Sequence, residues 1–132
     1  MKTRVFVNGT FDIIHSGHLH LLNYAKSLGD VLYVGIDSDR RVKELKGSDR
    51  PINSQLDRKF LLENLKAVDE VIIFSSDEEL SNLVRAISPH YMIVGNDYYG
   101  KKVIGSEYAE DLKFYAKIDG YSTTGIINKI KE

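Results

Sequence analysis

Arg4-Val5-Phe6-Val7-Asn8-Gly9-Thr10-Phe11-Asp12-Ile13-Ile14-His15-Ser16-Gly17-His18 is the stretch whose reading decides the fold. Arg4 to Val7 reads as a short buried strand. Asn8-Gly9-Thr10 ends it with turn-forming residues. From residue 17 to residue 28 the apolar side chains Leu19, Leu22, Ala25 and Leu28 recur at helical spacing, and Gly29 stands where a C-cap belongs. A strand that passes through a glycine-containing turn into a helix is the opening of a βαβ unit.

The rest of the chain repeats that alternation. Val31 to Ile36 is a second β-branched run, and residues 39 to 46 are polar and helical in character. The segment 46–53 reads as loop. Ser54 can cap a helix running to Ala67, with Leu61, Leu62 and Leu65 on one face. Val71 to Phe74 is a third strand, and the helix after it carries Leu80, Leu83, Val84 and Ile87. Tyr91 to Val94 is a fourth strand, Phe114 to Ile118 a fifth, and a last helix runs through Ile126, Ile127 and Ile130. Alternating strands and helices predict right-handed crossovers and a parallel sheet. The expected fold class is α/β, a Rossmann-like, doubly wound, five-stranded parallel sheet with helices on both faces. Residues 1–132 are expected to make one domain. Ligands of such sheets bind beyond the carboxyl ends of the strands. That rule selects residues 8–18, 37–39, 95–98 and 120–124.

Composition narrows the chemistry. The chain is 42% hydrophobic and 28% charged, with a formal net charge of −1. No global basic field exists to draw in nucleic acid. There is no cysteine, which excludes disulfides, thiolate metal sites and cysteine nucleophiles. The apolar run after Met1 is too short for a signal core or a membrane span, so a cytoplasmic location is expected and no membrane partner.

In Gly9 to His18, Gly9 lets backbone approach a ligand, and Gly17 opens space where the helix begins. A helix start favours anions, and two imidazoles three residues apart can converge on one. A single histidine here would be read as a helix cap or a surface residue. Two with a glycine between them favour an anion site over that reading. A zinc site from His15, His18 and His20 is the competing chemistry, but the spacing is not that of a helical ligand pair. Gly95-Asn96-Asp97-Tyr98-Tyr99-Gly100-Lys101-Lys102 nearly matches a phosphate-binding P-loop, yet Lys102 stands where a Ser or Thr is needed. It is read as a substrate loop. Gly120-Tyr121-Ser122-Thr123-Thr124 can either cap the last helix or hold phosphate. Lys43, Lys46, Arg50 and Arg58 surround what reads as a mobile basic loop able to close over a polyphosphate.

Taken together these residues resemble the cytidylyltransferase-like nucleotidyltransferase superfamily, whose mark Gly-x-Phe-Asp-x-x-His-x-Gly-His is found at Gly9 to His18. A second mark of that superfamily, Gly-x-Ser-Thr-Thr before the last helix, is matched at Gly120 to Thr124. The resemblance is greater to the adenylyltransferases that make ADP-heptose. It is carried by Leu45-Lys46-Gly47, Arg50-Pro51-Ile52-Asn53, Arg58, Ala67-Val68-Asp69, Gly95-Asn96-Asp97-Tyr98 and Ile104-Gly105-Ser106. Glycerol-3-phosphate cytidylyltransferases share both marks, the short length and Val68-Asp69-Glu70-Val71, but carry Arg-Thr-Glu where this chain has Lys117-Ile118-Asp119. Asn96 in turn replaces the glycine usual in the heptose enzymes. A non-catalytic nucleotide-binding module is the alternative of another class.

The resemblance implies attack of an acceptor phosphate on the α-phosphorus of a nucleoside triphosphate, ATP over CTP, with pyrophosphate as leaving group. It implies His15, His18 and Lys46 as catalytic, with Arg58 joining Lys46 at the phosphates. Gly9, Thr10, Phe11, Asp12, Gly17, Gly95, Lys117, Gly120, Ser122 and Thr123 are implied as nucleotide-binding. Asp37, Asp97 and Tyr98 are the expected substrate contacts. Asp12 either orients the motif or faces Mg²⁺, which would bridge the triphosphate as cofactor, with no metal site of the protein's own. The partners implied are a nucleoside triphosphate, a small phosphorylated substrate and a second copy of the chain in a homodimer.

Overall fold

The computed structural model describes residues 1–116 and 123–131, and Thr123 is described in its backbone alone. Five strands make one sheet: β1 (Arg4–Gly9), β2 (Val31–Asp37), β3 (Glu70–Phe74), β4 (Tyr91–Gly95) and β5 (Asp111–Tyr115). Their order is β3-β2-β1-β4-β5, and every pairing is parallel. The helices are α1 (Ser16–Ser27), α2 (Asp39–Lys46), α3 (Gln55–Glu63), α4 (Asp77–Ile87) and α5 (Thr123–Lys131). The expected α/β class, strand number and parallel sense are all present.

Alternation along the strands divides the core in two. On one face Val5, Val7, Val34 and Ile36 pack with Leu22 and Ala25 of α1 and Leu62 of α3. On the other, Phe6 and Met92 pack with Phe74 and with Leu80 and Val84 of α4. Gly35 in the middle of β2 is where the sheet needs a missing side chain, since a Cβ would come within 3.0 Å of the Phe6 ring. The chain runs outward from β1 through β2 to β3, then crosses back to place β4 on the other side of β1 and β5 beyond it, so the switch point lies between β1 and β4.

Three expectations are corrected. The third helix stops at Glu63 rather than Ala67, because Asn64 turns its side chain back to the Phe60 carbonyl at 2.8 Å and Leu65 closes a tight turn on Leu62. The fifth strand begins three residues before Phe114, at Asp111. As an edge strand it needs only one buried face, so Lys113 and Asp111 do not break it. Ile118, expected at its end, lies outside the described residues. The loop after α2 is not free along its whole length. The Asp12 carboxylate accepts the N–H groups of Ile52 and Asn53 at 2.8 Å and the Arg50 guanidinium at 3.4 Å, which pins its second half.

Candidate active site

A cleft of about 440 Å³ opens at the carboxyl ends of β1, β2 and β4. Gly9, Thr10 and Phe11 form its floor after β1, Asp37 closes β2, and Gly95, Asp97 and Tyr98 follow β4. His18 from α1 and Lys46 at the end of α2 complete the walls. Nine of the expected residues therefore share one cavity, although they come from five separate stretches of chain.

The turn after β1 is shaped by Phe11, whose φ of 52° lies in the left-handed region that non-glycine residues seldom adopt. Its ring is buried and lies 5.0 Å from the His18 ring. Gly9 is required by the same turn, since a Cβ there would meet the Phe11 ring at 3.0 Å. The local twist thus turns Phe11 back beneath the motif, which seats His18 at the cleft.

The two histidines do cap the helix, and this revises the choice posed by the sequence. His15 is the N-cap of α1, and its Nδ1 accepts the Gly17 N–H at 3.1 Å. The His18 Nδ1 accepts the His15 N–H at 3.2 Å, and the rings stack at 3.8 Å between centroids. Capping and ligand binding are not alternatives here. A neutral imidazole that accepts at Nδ1 carries its proton on Nε2. Each ring therefore takes a helix-start N–H on one edge and presents a new N–H on the other, extending the positive end of the helix. Burial lowers the pKa of His15, which favours this neutral form. His18 lines the cleft, while His15 backs it and is not among the lining residues.

Arg58 departs from its expected role. It is fully buried and cannot reach a polyphosphate. Its guanidinium donates to the carbonyls of Asn53 at 3.0 Å, Thr10 at 3.0 Å and Asp37 at 2.8 Å, and to the Asp39 carboxylate at 2.8 Å. It ties the motif turn, the end of β2 and the loop before α3 to one another. Asp12 is equally enclosed and its oxygens are taken by Ile52, Asn53 and Arg50. Of its two expected roles, the geometry supports orienting the motif. Gly17 serves the cap rather than the cleft wall. Lys117, Gly120 and Ser122 lie outside the described residues, as does the Thr123 side chain.

Sequence reasoning missed Arg41 and Tyr115, which also line the cleft, as does Asn8 at the start of the selected stretch 8–18. Arg41 had a signal, standing one helical turn after Asp37. Tyr115 was hidden because the strand was expected to run on to Ile118, whereas β5 ends at Tyr115 and so delivers it to the carboxyl end of the sheet. Among the described residues no group of three or more His, Asp or Glu side chains could hold a metal ion. With both Nδ1 atoms committed to backbone N–H groups, the zinc reading of His15, His18 and His20 has no geometric support. Among the described residues no helix is long and apolar enough to cross a membrane.

A family model described as cytidylyltransferase-like matches residues 6–129. The chain belongs to that family. The family match indicates a nucleotidyltransferase. A bifunctional protein HldE of Campylobacter fetus is 53% identical over 130 residues, covering 98% of this chain and 28% of that protein. The HldE of Helicobacter pylori strain G27 is 49% identical over 127 residues, covering 96% of this chain and 27% of that one. The chain thus spans a little over a quarter of the length of these curated relatives. Among solved structures, a lipopolysaccharide core biosynthesis protein from Thermoplasma volcanium superposes with a TM-score of 0.73 at 28% identity, over 90% of this chain and 100% of that one. A protein of unknown function from Archaeoglobus fulgidus shares the fold at 18% identity, with a TM-score of 0.58.

Proposed function

We propose that this cytidylyltransferase-like chain transfers the adenylyl group of ATP to the phosphate of a small sugar phosphate, giving a nucleotide-activated sugar such as ADP-heptose. An oxygen of the acceptor phosphate forms the new bond to the α-phosphorus. The bond from that phosphorus to the bridging oxygen breaks, and pyrophosphate leaves with the electron pair. A phosphate monoester has its second pKa near about 6, so it arrives already ionised and needs no general base. Catalysis is then positioning and charge stabilisation.

The observation that carries this reading is the meeting of His18 and Lys46 in one cleft at the β1–β4 switch point. The His18 Nε2–H is a preorganised donor for charge growing on the bridging oxygen. Lys46 adds a full positive charge from the end of α2, and His15 keeps the His18 ring in place by stacking. Asp97 and Tyr98 line the same cleft, which supports the substrate contacts that the resemblance implies for them. Gly95, and Gly120, Ser122 and Thr123 by resemblance, complete the nucleotide site, with Lys117 beside them. Mg²⁺ fits as a cation carried by the triphosphate: it prefers phosphate and water oxygens, and no described cluster of acidic groups competes for it. We place the enzyme in the cytoplasm, where ATP is found.

The homodimer implied by the resemblance has a surface available on α3. Leu56 and Phe60, one turn apart, are 69% and 64% exposed. Phe60→Glu should shift sedimentation toward the monomer, whereas an unchanged dimer would move the interface elsewhere.

The test of the reaction is pyrophosphate release with ATP, CTP, GTP and UTP against heptose, hexose and glycerol phosphates. ATP with a sugar phosphate should give the highest turnover. A clear excess with CTP and glycerol 3-phosphate would assign the cytidylyl activity instead, and nucleotide binding without release for any pair would leave a binding module.

A further inference from the structure

The cleft has a second polar centre that the transfer chemistry does not use. Asp37 ends β2, and its side chain is 13% exposed. Its Oδ1 accepts from Arg41 Nε at 2.8 Å and its Oδ2 from the Thr10 hydroxyl at 3.3 Å. Arg41 reaches on to Asp77, at the start of α4, through Nη2 at 2.6 Å, and its guanidinium lies 5.5 Å from the centre of the Phe74 ring. Two carboxylates thus hold one guanidinium, and the cluster carries a formal charge of −1.

Phosphate is repelled by such a group, so the cluster does not extend the triphosphate site of His18 and Lys46. Hydroxyl groups suit it well. Each Asp37 oxygen has one lone pair engaged and one to spare. Arg41 Nη1 makes no hydrogen bond among the described residues and is a donor beside those acceptors. An alcohol both donates and accepts, so a pair of neighbouring hydroxyls matches this array. Arg41 also holds the carboxylate still, which lowers the ordering cost on binding.

Two substrates of the reaction carry such hydroxyls, the ribose of the nucleotide and the acceptor sugar. The cleft separates their places. Tyr98 and Tyr115, the flat faces suited to a base, follow β4 and end β5, on one side of the switch point. Asp37, Arg41 and Asp77 lie on the other side, at β2, α2 and α4. We infer that Asp37, oriented by Arg41 and Asp77, binds hydroxyl groups of the acceptor sugar and selects a polyhydroxylated phosphate ester, with the acceptor's phosphate turned toward His18 and Lys46. This rests on the transfer reading above.

Steady-state kinetics of Asp37→Asn, with ATP and the best sugar phosphate of the panel, test it. The acceptor KM should rise about tenfold or more, the range of a lost hydrogen bond to a charged group. The KM for ATP should stay within about twofold. Arg41→Met should show the same split, as a positioning residue does. Deoxy analogues of the acceptor, each lacking one hydroxyl, should include one that costs the parent this factor and costs Asp37→Asn nothing further. An unchanged acceptor KM would overturn the inference. A loss that falls on ATP, and that 2′- or 3′-deoxy ATP reproduces in the parent, would assign the cluster to ribose and overturn it as well. If no pair is turned over, the transfer reading fails by itself. Calorimetric titration of the parent and Asp37→Asn with hexose 1-phosphate and its deoxy analogues then decides: equal affinities throughout sink the hydroxyl site, and a loss confined to the hydroxylated sugar sustains it.

Discussion

The two ends of the sheet use similar bonds for different ends. At the amino end, Arg4 donates to the carbonyls of Ile87 and Ser88, its N–H donates to His90 Nδ1, and Asp69 accepts both Lys26 and the Leu32 N–H. These bonds close loops against neighbouring strands, and all of them are exposed or only partly buried. At the carboxyl end Asp12 and Arg58 are 1% and 0% exposed, and each bonds to segments from other elements. Burying such charges costs more than their pairing returns unless every donor and acceptor is met. What the carboxyl end gains is a cleft whose floor and walls are held at fixed separation.

If that contrast is right, Arg58→Leu has the largest effect of any substitution considered. It strands three carbonyls and the Asp39 carboxylate around an uncharged side chain. Stability should fall by roughly 3–5 kcal/mol, and Arg58→Lys should not restore it, because one ammonium cannot span four acceptors. Denaturant unfolding measures both. A variant as stable as the parent would mean that Arg58 is not the tie it is taken to be.

Next comes His18→Ala. Loss of one preorganised donor lowers kcat by about 10²–10³. Because His18 also accepts the His15 N–H, a cap loss of about 1 kcal/mol should accompany it. His15→Ala should lose the cap to a similar degree but less of kcat, since it backs the cleft rather than lining it. His20→Ala should leave both unchanged. Full turnover in His18→Ala with a lowered melting point would reduce the motif to a helix cap.

Much of this was legible in the chain. Strand and helix periodicity, with the carboxyl-end rule, brought Gly9, Asp37, Gly95 and Asp97 to one place before any coordinates. Two kinds of fact were not legible. One is the direction of long polar side chains: Arg58 looks like a phosphate ligand by type and spacing, and only its depth shows otherwise. The other is dual use. His15 and His18 were weighed as caps or as ligands, and the ring has two nitrogens that permit both. The edge strand β5 was misplaced because one paired edge and one buried face leave little apolar signal at Asp111 and Lys113.

Lys46→Ala probes the cleft wall without touching the ties behind it. Its charge faces the cleft from the end of α2, so turnover at limiting ATP should drop about tenfold or more, as for a lost charged hydrogen bond. Stability should change by no more than about 0.5 kcal/mol. Parent-like kinetics at limiting ATP would remove Lys46 from the phosphate site.

The smallest effect is expected at the opposite end, and it carries the sharpest control. Burial pushes the Asp69 carboxyl up, but hydrogen bonds from Lys26 and the Leu32 N–H, with the Lys26 charge, outweigh it and leave the pKa below its ordinary value. A carboxyl lowered in the folded state adds stability that is full above its unfolded pKa of about 3.9, and loses it as pH falls through the lower folded value. Because the Asp69 side chain is 39% exposed, solvent screens the pair, and its worth is at most about 0.5 kcal/mol. Asp69→Asn should therefore melt slightly below the parent at pH 7, and the gap should close as both are taken below about pH 4. Kinetics should not change, since the pair ties Lys26 at the end of α1 to the amino end of β2, away from the cleft. A gap that persists at acid pH would mean the loss is packing and not charge. A fall in kcat would show that the amino end also shapes the cleft, and the contrast between the two ends would not hold.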